Sequence, residues 1–76
     1  MSPKLLRVTA MELIRALRRD GWYDHAQEGS HLTLRHLTKP GRVVVPIHAG
    51  KIIKPGLLSS CLKDAGLTVD DFRRLL

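Results

Sequence analysis

The hydrophobic period of this chain changes at Gly21, and that change limits the possible folds more than any other feature of the sequence. Before it, Ala10, Leu13, Ile14 and Leu17 recur at i, i+3, i+4 and i+7, the stripe of a helix with one buried face, while Glu12, Arg15, Arg18 and Arg19 fall off the stripe. Thr9-Ala10-Met11-Glu12 is a capping box, in which the threonine hydroxyl and the glutamate carboxylate satisfy free backbone N–H groups at the helix start. Arg18 and Arg19 complement the negative end of the helix dipole, and Gly21 supplies a left-handed stop, so a helix is expected over residues 10–20.

After Gly21 the period shortens to that of strands. Trp22–Gln27 reads as a first strand closed by Glu28-Gly29-Ser30. His31–His36 alternates, with Leu32 and Leu34 toward one face and His31, Thr33 and Arg35 toward the other. Lys39-Pro40-Gly41-Arg42 carries the residues of a type II turn and leads into a third strand over 42–48. Pro46 cannot donate a ladder hydrogen bond, which puts that strand at the edge of an antiparallel meander. Lys54-Pro55-Gly56 opens a second helix with the stripe Leu57, Leu58, Cys61, Leu62 and Ala65, ending at Gly66. Thr68-Val69-Asp70-Asp71 caps a short tail helix whose Val69, Phe72, Leu75 and Leu76 share a face. The expected fold is α+β, in the order α-β-β-β-α plus a short C-terminal helix. Two helices cover one face of a three-stranded antiparallel sheet, and the other face is left to solvent.

Size and charge then restrict function. The 76 residues are expected to form one domain over 1–76, with a core at about 9–66 and the tail helix at 68–76. Chains of about 60 residues bury only about 60% of their unfolded surface, too little for a deep substrate chamber. Multi-domain enzymes and nucleotide-binding folds are excluded on length. The net charge of +6 points to a polyanionic partner, nucleic acid first, with simple solubility by like-charge repulsion as the alternative. A single cysteine, Cys61, suits a reducing compartment and reads as a small apolar residue on the buried stripe of the second helix. No apolar run approaches the roughly 20 residues that span a bilayer, and Met1-Ser2-Pro3-Lys4 reads as a lead-in to a helix, not as a signal peptide. A cytoplasmic protein with no membrane association is expected.

Four histidines, His25, His31, His36 and His48, fall on or beside strands. Their spacings match none of the short-range zinc pairs, so no metal site and no cofactor is expected. His31 has the most particular setting. It lies on the polar face of its strand, two residues before Arg35, and follows a glycine that lets backbone approach a phosphate. Imidazole exchanges protons near neutral pH, which suits acid–base work. The plainer alternative is a surface histidine. Basic residues form two groups: Arg15, Arg18 and Arg19 on the first helix, and Lys39, Arg42, Lys51 and Lys54 near the turns and the second helix. Either group can be a solvated face. Lys51 and Lys54 are the more informative pair, because cations beside a helix N-terminus join its N–H groups in attracting phosphate.

Gly21-Trp22 after an amphipathic helix, then Gly29-Ser30-His31, then Val45-Pro46-Ile47-His48, then Lys51 through Pro55-Gly56-Leu57-Leu58 opening a helix, resemble the HicA family of bacterial and archaeal toxins. The likeness runs from about Thr9 to Gly66. It implies a double-stranded-RNA-binding-domain-like fold and a metal-independent ribonuclease that cleaves messenger RNA. It also implies a HicB-type antitoxin that covers the active-site face in a hetero-oligomer. The family's catalytic histidine, in Gly-Ser-His, falls on His31. This chain departs from the shortest family members by its tail helix, which either packs on the domain or helps dock the partner.

On that resemblance, His31 would act as general base on the ribose 2′-OH and leave a cyclic phosphate. RNA contacts are expected from Arg35, Lys39, Arg42, Lys51 and Lys54. The leaving 5′ oxygen needs an acid, for which His48 and water both stand. The alternative function is a non-catalytic double-stranded-RNA-binding module, and a third reading is a purely protein-binding adaptor.

Overall fold

The computed structural model describes residues 7–76, so the reading of Met1–Lys4 as a lead-in lies outside the described residues. The elements are α1 (Ala10–Arg19), β1 (Trp22–Glu28), β2 (His31–His36), β3 (Val43–Pro46), α2 (Pro55–Asp64) and α3 (Val69–Leu75). The sheet is antiparallel in the order β1-β2-β3, which makes β2 central and leaves β3, with its Pro46, at an edge. This is the expected α-β-β-β-α order with the extra helix, and it is compatible with the double-stranded-RNA-binding-domain-like fold. Among the described residues no helix is long and apolar enough to cross a membrane.

Local chemistry explains the boundaries. Both capping boxes form. Thr9 Oγ1 accepts from the Glu12 N–H at 3.2 Å while Glu12 Oε1 accepts from the Thr9 N–H at 2.9 Å. Thr68 and Asp71 repeat the exchange at 3.0 Å in each direction. These N–H donors stabilise the charged carboxylates, and both Glu12 and Asp71 titrate below their ordinary values for that reason. Pro55 sits at the start of α2, where its missing N–H costs no helical hydrogen bond.

Two strands differ in extent from expectation. The first strand runs one residue further, through Glu28, because the hairpin closes in only two residues, Gly29 and Ser30. Gly29 has φ 58 and no non-glycine among the described residues has positive φ, the combination a type II′ turn requires. The third strand is shorter than the expected 42–48. Pro46 has no N–H for the ladder, Ile47 makes one further bond to Ser30 O at 2.6 Å, and the chain then turns between His48 and Lys51.

The alternation of β2 divides the molecule. Leu32 and Leu34 are buried with Val43 and Val45 of β3 and Trp22 of β1, beneath Leu13, Ile14 and Leu17 of α1 and Leu58 and Leu62 of α2. His31, Thr33 and Arg35 project from the opposite face. Helices α1 and α2 pack against the sheet, and α3 packs against α1. An antiparallel bridge joins Thr9 to Ile52, with the Ile53 N–H on Val8 O at 2.8 Å, so the entries to α1 and α2 are held together.

The tail helix packs on the domain. Phe72 is 0% exposed and belongs to the same core, and Arg19 Nη1 donates to Leu75 O at 2.6 Å. Phe72→Ala is expected to lower stability by about 3–5 kcal/mol in a denaturation titration. A loss below about 1 kcal/mol would contradict the placement of α3 in the core.

Candidate functional site

The open face of the sheet holds a shallow groove of about 410 Å³. Its floor is Ala26, Thr33 and Val44, and its rim is His25, Glu28, His31, Arg35 and Arg42. The pairing register explains how β1 contributes. Trp22, Tyr23 and Asp24 pair with His36, Arg35 and Leu34, but Ala26 pairs with Thr33, so His25 is an extra residue in a β-bulge. Cross-strand partners share a face, so Ala26 and Glu28 stand on the open side with Thr33 and His31. Simple alternation from Trp22 would have turned both inward. The bulge thus sets Glu28 directly across from His31, and His25 lines the same groove.

Asp24, just before the bulge, is anchored on the helix side. Arg18 donates to it twice, Nε to Oδ1 at 3.1 Å and Nη2 to Oδ2 at 2.7 Å. This bidentate pair lowers the Asp24 carboxyl below its ordinary value.

The residues singled out from the sequence separate into three places. His31, Arg35 and Arg42 come together in the sheet groove. His48, Lys51 and Lys54 line a second groove of about 300 Å³ with Pro46, Ile52 and Leu57, at the entry to α2. His48 and His31 thus line different grooves. Lys39 lies in neither groove. Its Nζ is 2.5 Å from Asp20 Oδ2 and 3.0 Å from Ala65 O, where it joins the end of α1 to the end of α2. Those bonds direct its ammonium to the ends of the two helices, away from the sheet groove.

His36 is also structural. Its Nε2 lies 2.7 Å from Asp20 O, and its Nδ1 accepts N–H bonds from Thr38 at 3.1 Å and Lys39 at 3.2 Å, which assigns the proton to Nε2. The ring meets Trp22 edge-on, with centroids 5.2 Å apart. Cys61 is an inert filler: burial pushes its thiol up to about 11, and its Sγ lies 3.6 Å from Val44 O. Among the described residues no three His, Cys, Asp or Glu side chains gather as a potential metal-binding group.

His25 and Glu28 are the groove residues that the sequence reading left unassigned. Counting by two from buried Trp22 already points His25 outward, so a signal for it existed. Nothing local signals the phase change that turns Glu28 to the same side.

The fold and the groove define a class: small α+β domains of double-stranded-RNA-binding-domain-like architecture that present a histidine among cations on an open sheet face. Residues 10–67 match the family described as "HicA toxin of bacterial toxin-antitoxin". The chain belongs to that family, the toxins of toxin–antitoxin pairs. No curated protein matches it.

Glycine is required where the chain leaves α1. Gly21 has φ 103, and a Cβ there would lie 2.7 Å from His36 Nε2. Gly21→Ala is therefore expected to cost about 1–3 kcal/mol, read as a fall in melting temperature of several degrees. An unchanged melting temperature would contradict the packing of His36 against this turn.

Proposed function

We propose that this toxin is an endoribonuclease that cleaves messenger RNA without a metal ion, with His31 as general base, and that a HicB-type antitoxin silences it by covering the open sheet face. The observation that carries this reading is the exposed His31 beside Arg35 and Arg42 in one groove on that face. A flexible polyanion can lie across an open sheet, so the lack of a deep chamber is no obstacle. The 2′-OH beside each phosphate of RNA supplies an internal nucleophile. His31 takes its proton as the oxygen attacks phosphorus, and the guanidinium groups of Arg35 and Arg42 offset charge developing on the phosphate oxygens. Lys51 and Lys54, on the second groove, extend the cationic track along the RNA strand.

The basic face needs a cover when the toxin is silent. A partner carrying carboxylates over His31, Arg35 and Arg42 would compete with RNA for the same charges. The cytoplasm, where messenger RNA is made and translated, is the compartment that fits.

Purified protein incubated with single-stranded RNA in EDTA is expected to cut it and to leave the matching DNA intact. His31→Ala is expected to abolish cleavage while RNA affinity stays within a few fold. Retained cleavage by the variant would sink the assignment of His31. Salt-sensitive duplex binding without products from the parent chain would favour a non-catalytic binding module.

The cations can be separated in the inactive His31→Ala background. Arg35→Ala and Arg42→Ala should each flatten the dependence of log affinity on log salt by about 0.7 for single-stranded RNA. Lys39→Ala should leave that slope unchanged and lower the melting temperature instead. A slope change for Lys39→Ala equal to those of the arginines would contradict its structural placement.

A further inference from the structure

The geometry points to His25 as the general acid of this groove, the residue that protonates the leaving 5′ oxygen; this inference rests on the ribonuclease reading of His31. In-line attack places the entering 2′ oxygen and the leaving 5′ oxygen on opposite sides of phosphorus. A base that has reached one side is poorly placed to serve the other in the same step. A second proton-transfer group is needed across the phosphate.

His25 has the required position. It is the extra residue of the β1 bulge, exposed on the open face, and it lines the same groove as His31. The Ala26–Thr33 pair lies between them. Ordinary strand dimensions put the two backbones about 8–10 Å apart, too far for a direct hydrogen bond and wide enough for a phosphate over Thr33.

The other groove residues are poorer acids. Arg35 and Arg42 do not release protons under ordinary conditions. Glu28 stands across from His31, on the base side of the proposed phosphate position. Asp24, next in the chain, is turned to the helix side and held by Arg18. Tyr23 pairs with Arg35 further along the open face. His48, the histidine beside β3, lines the second groove.

The step balances. His31 begins neutral and His25 begins protonated. The 2′-O–H proton passes to His31, the 2′ oxygen bonds to phosphorus, and the bond from phosphorus to the 5′ oxygen breaks. The departing oxygen takes the proton of His25. The products are a 2′,3′-cyclic phosphate and a 5′-OH, and the two imidazoles exchange protons with water to return to their starting states.

Leaving-group substitution tests this assignment. At a mapped cleavage site, RNA is prepared with sulfur in place of the bridging 5′ oxygen, because a thiolate departs without being protonated. His25→Ala and His25→Gln, each checked for an unchanged melting temperature, are expected to slow cleavage of ordinary RNA about 10²–10⁴-fold. On the sulfur-bridged RNA both should lie within about tenfold of the parent chain, whereas His31→Ala fails on both substrates. Equal loss by the His25 variants on the two substrates would overturn the acid role, as would full activity on ordinary RNA. Rescue of His31→Ala in place of the His25 variants would reverse the two roles and overturn it equally. A parent chain that cuts neither RNA would overturn the ribonuclease reading itself, and this inference with it.

Discussion

The two faces of β2 are the constraint on which the rest of the structure depends. Leu32 and Leu34 anchor the central strand in the core, and period-2 geometry then obliges His31, Thr33 and Arg35 to stand on the other side. A one-residue slip of register would bury the histidine and expose both leucines, so the hydrophobic core itself holds His31 outward. With α1 and α2 packed on one face of the sheet, the same central strand serves both the core and the open face. The core that stabilises the fold is also what aims the side chains of the groove.

The flanking strands complete that surface in different ways. Strand β3 pairs with β2 from Leu34–Val43 to His31–Pro46, which brings Val44 alongside Thr33 and leaves Arg42 at the groove's rim. Strand β1 pairs through a bulge at His25, and the phase change there turns the carboxylate of Glu28 to the groove that His25 also lines. The bidentate hold of Arg18 on Asp24 lies immediately before the bulge on the helix side. Helix α1 therefore contributes to the site without presenting any residue to it.

What was legible in the sequence follows how local each signal is. The order of elements, the two capping boxes and the sidedness of β2 each depend on residues within a turn or a strand of one another. Those expectations agree with the structure, and the family resemblance carried by short motifs in order agrees with the family match over residues 10–67. The less legible features depend on residues far apart in the chain. Lys39 is drawn to Asp20 and Ala65 by the way the ends of α1 and α2 meet, and no local pattern distinguishes it from a free surface cation. His48 follows its strand closely but is carried to the second groove by the turn after Pro46. The bulge at His25 is set by pairing with β2, so its phase change is invisible to a count along β1 alone. Membership in the toxin family names the class of protein, while the arrangement of side chains in the groove comes from this chain's own register.

The central claim is that the open sheet face carries out attack by the ribose 2′-OH with acid–base help from histidine. The nature of the new RNA ends tests that claim most directly, because the chemistry leaves its record there. Mass spectrometry of a short RNA cut by the purified toxin should show a 2′,3′-cyclic phosphate on one fragment and a 5′-OH on the other. Fragments ending in 3′-OH and 5′-phosphate would mean that water or hydroxide attacked phosphorus in place of the 2′ oxygen, and would contradict the account.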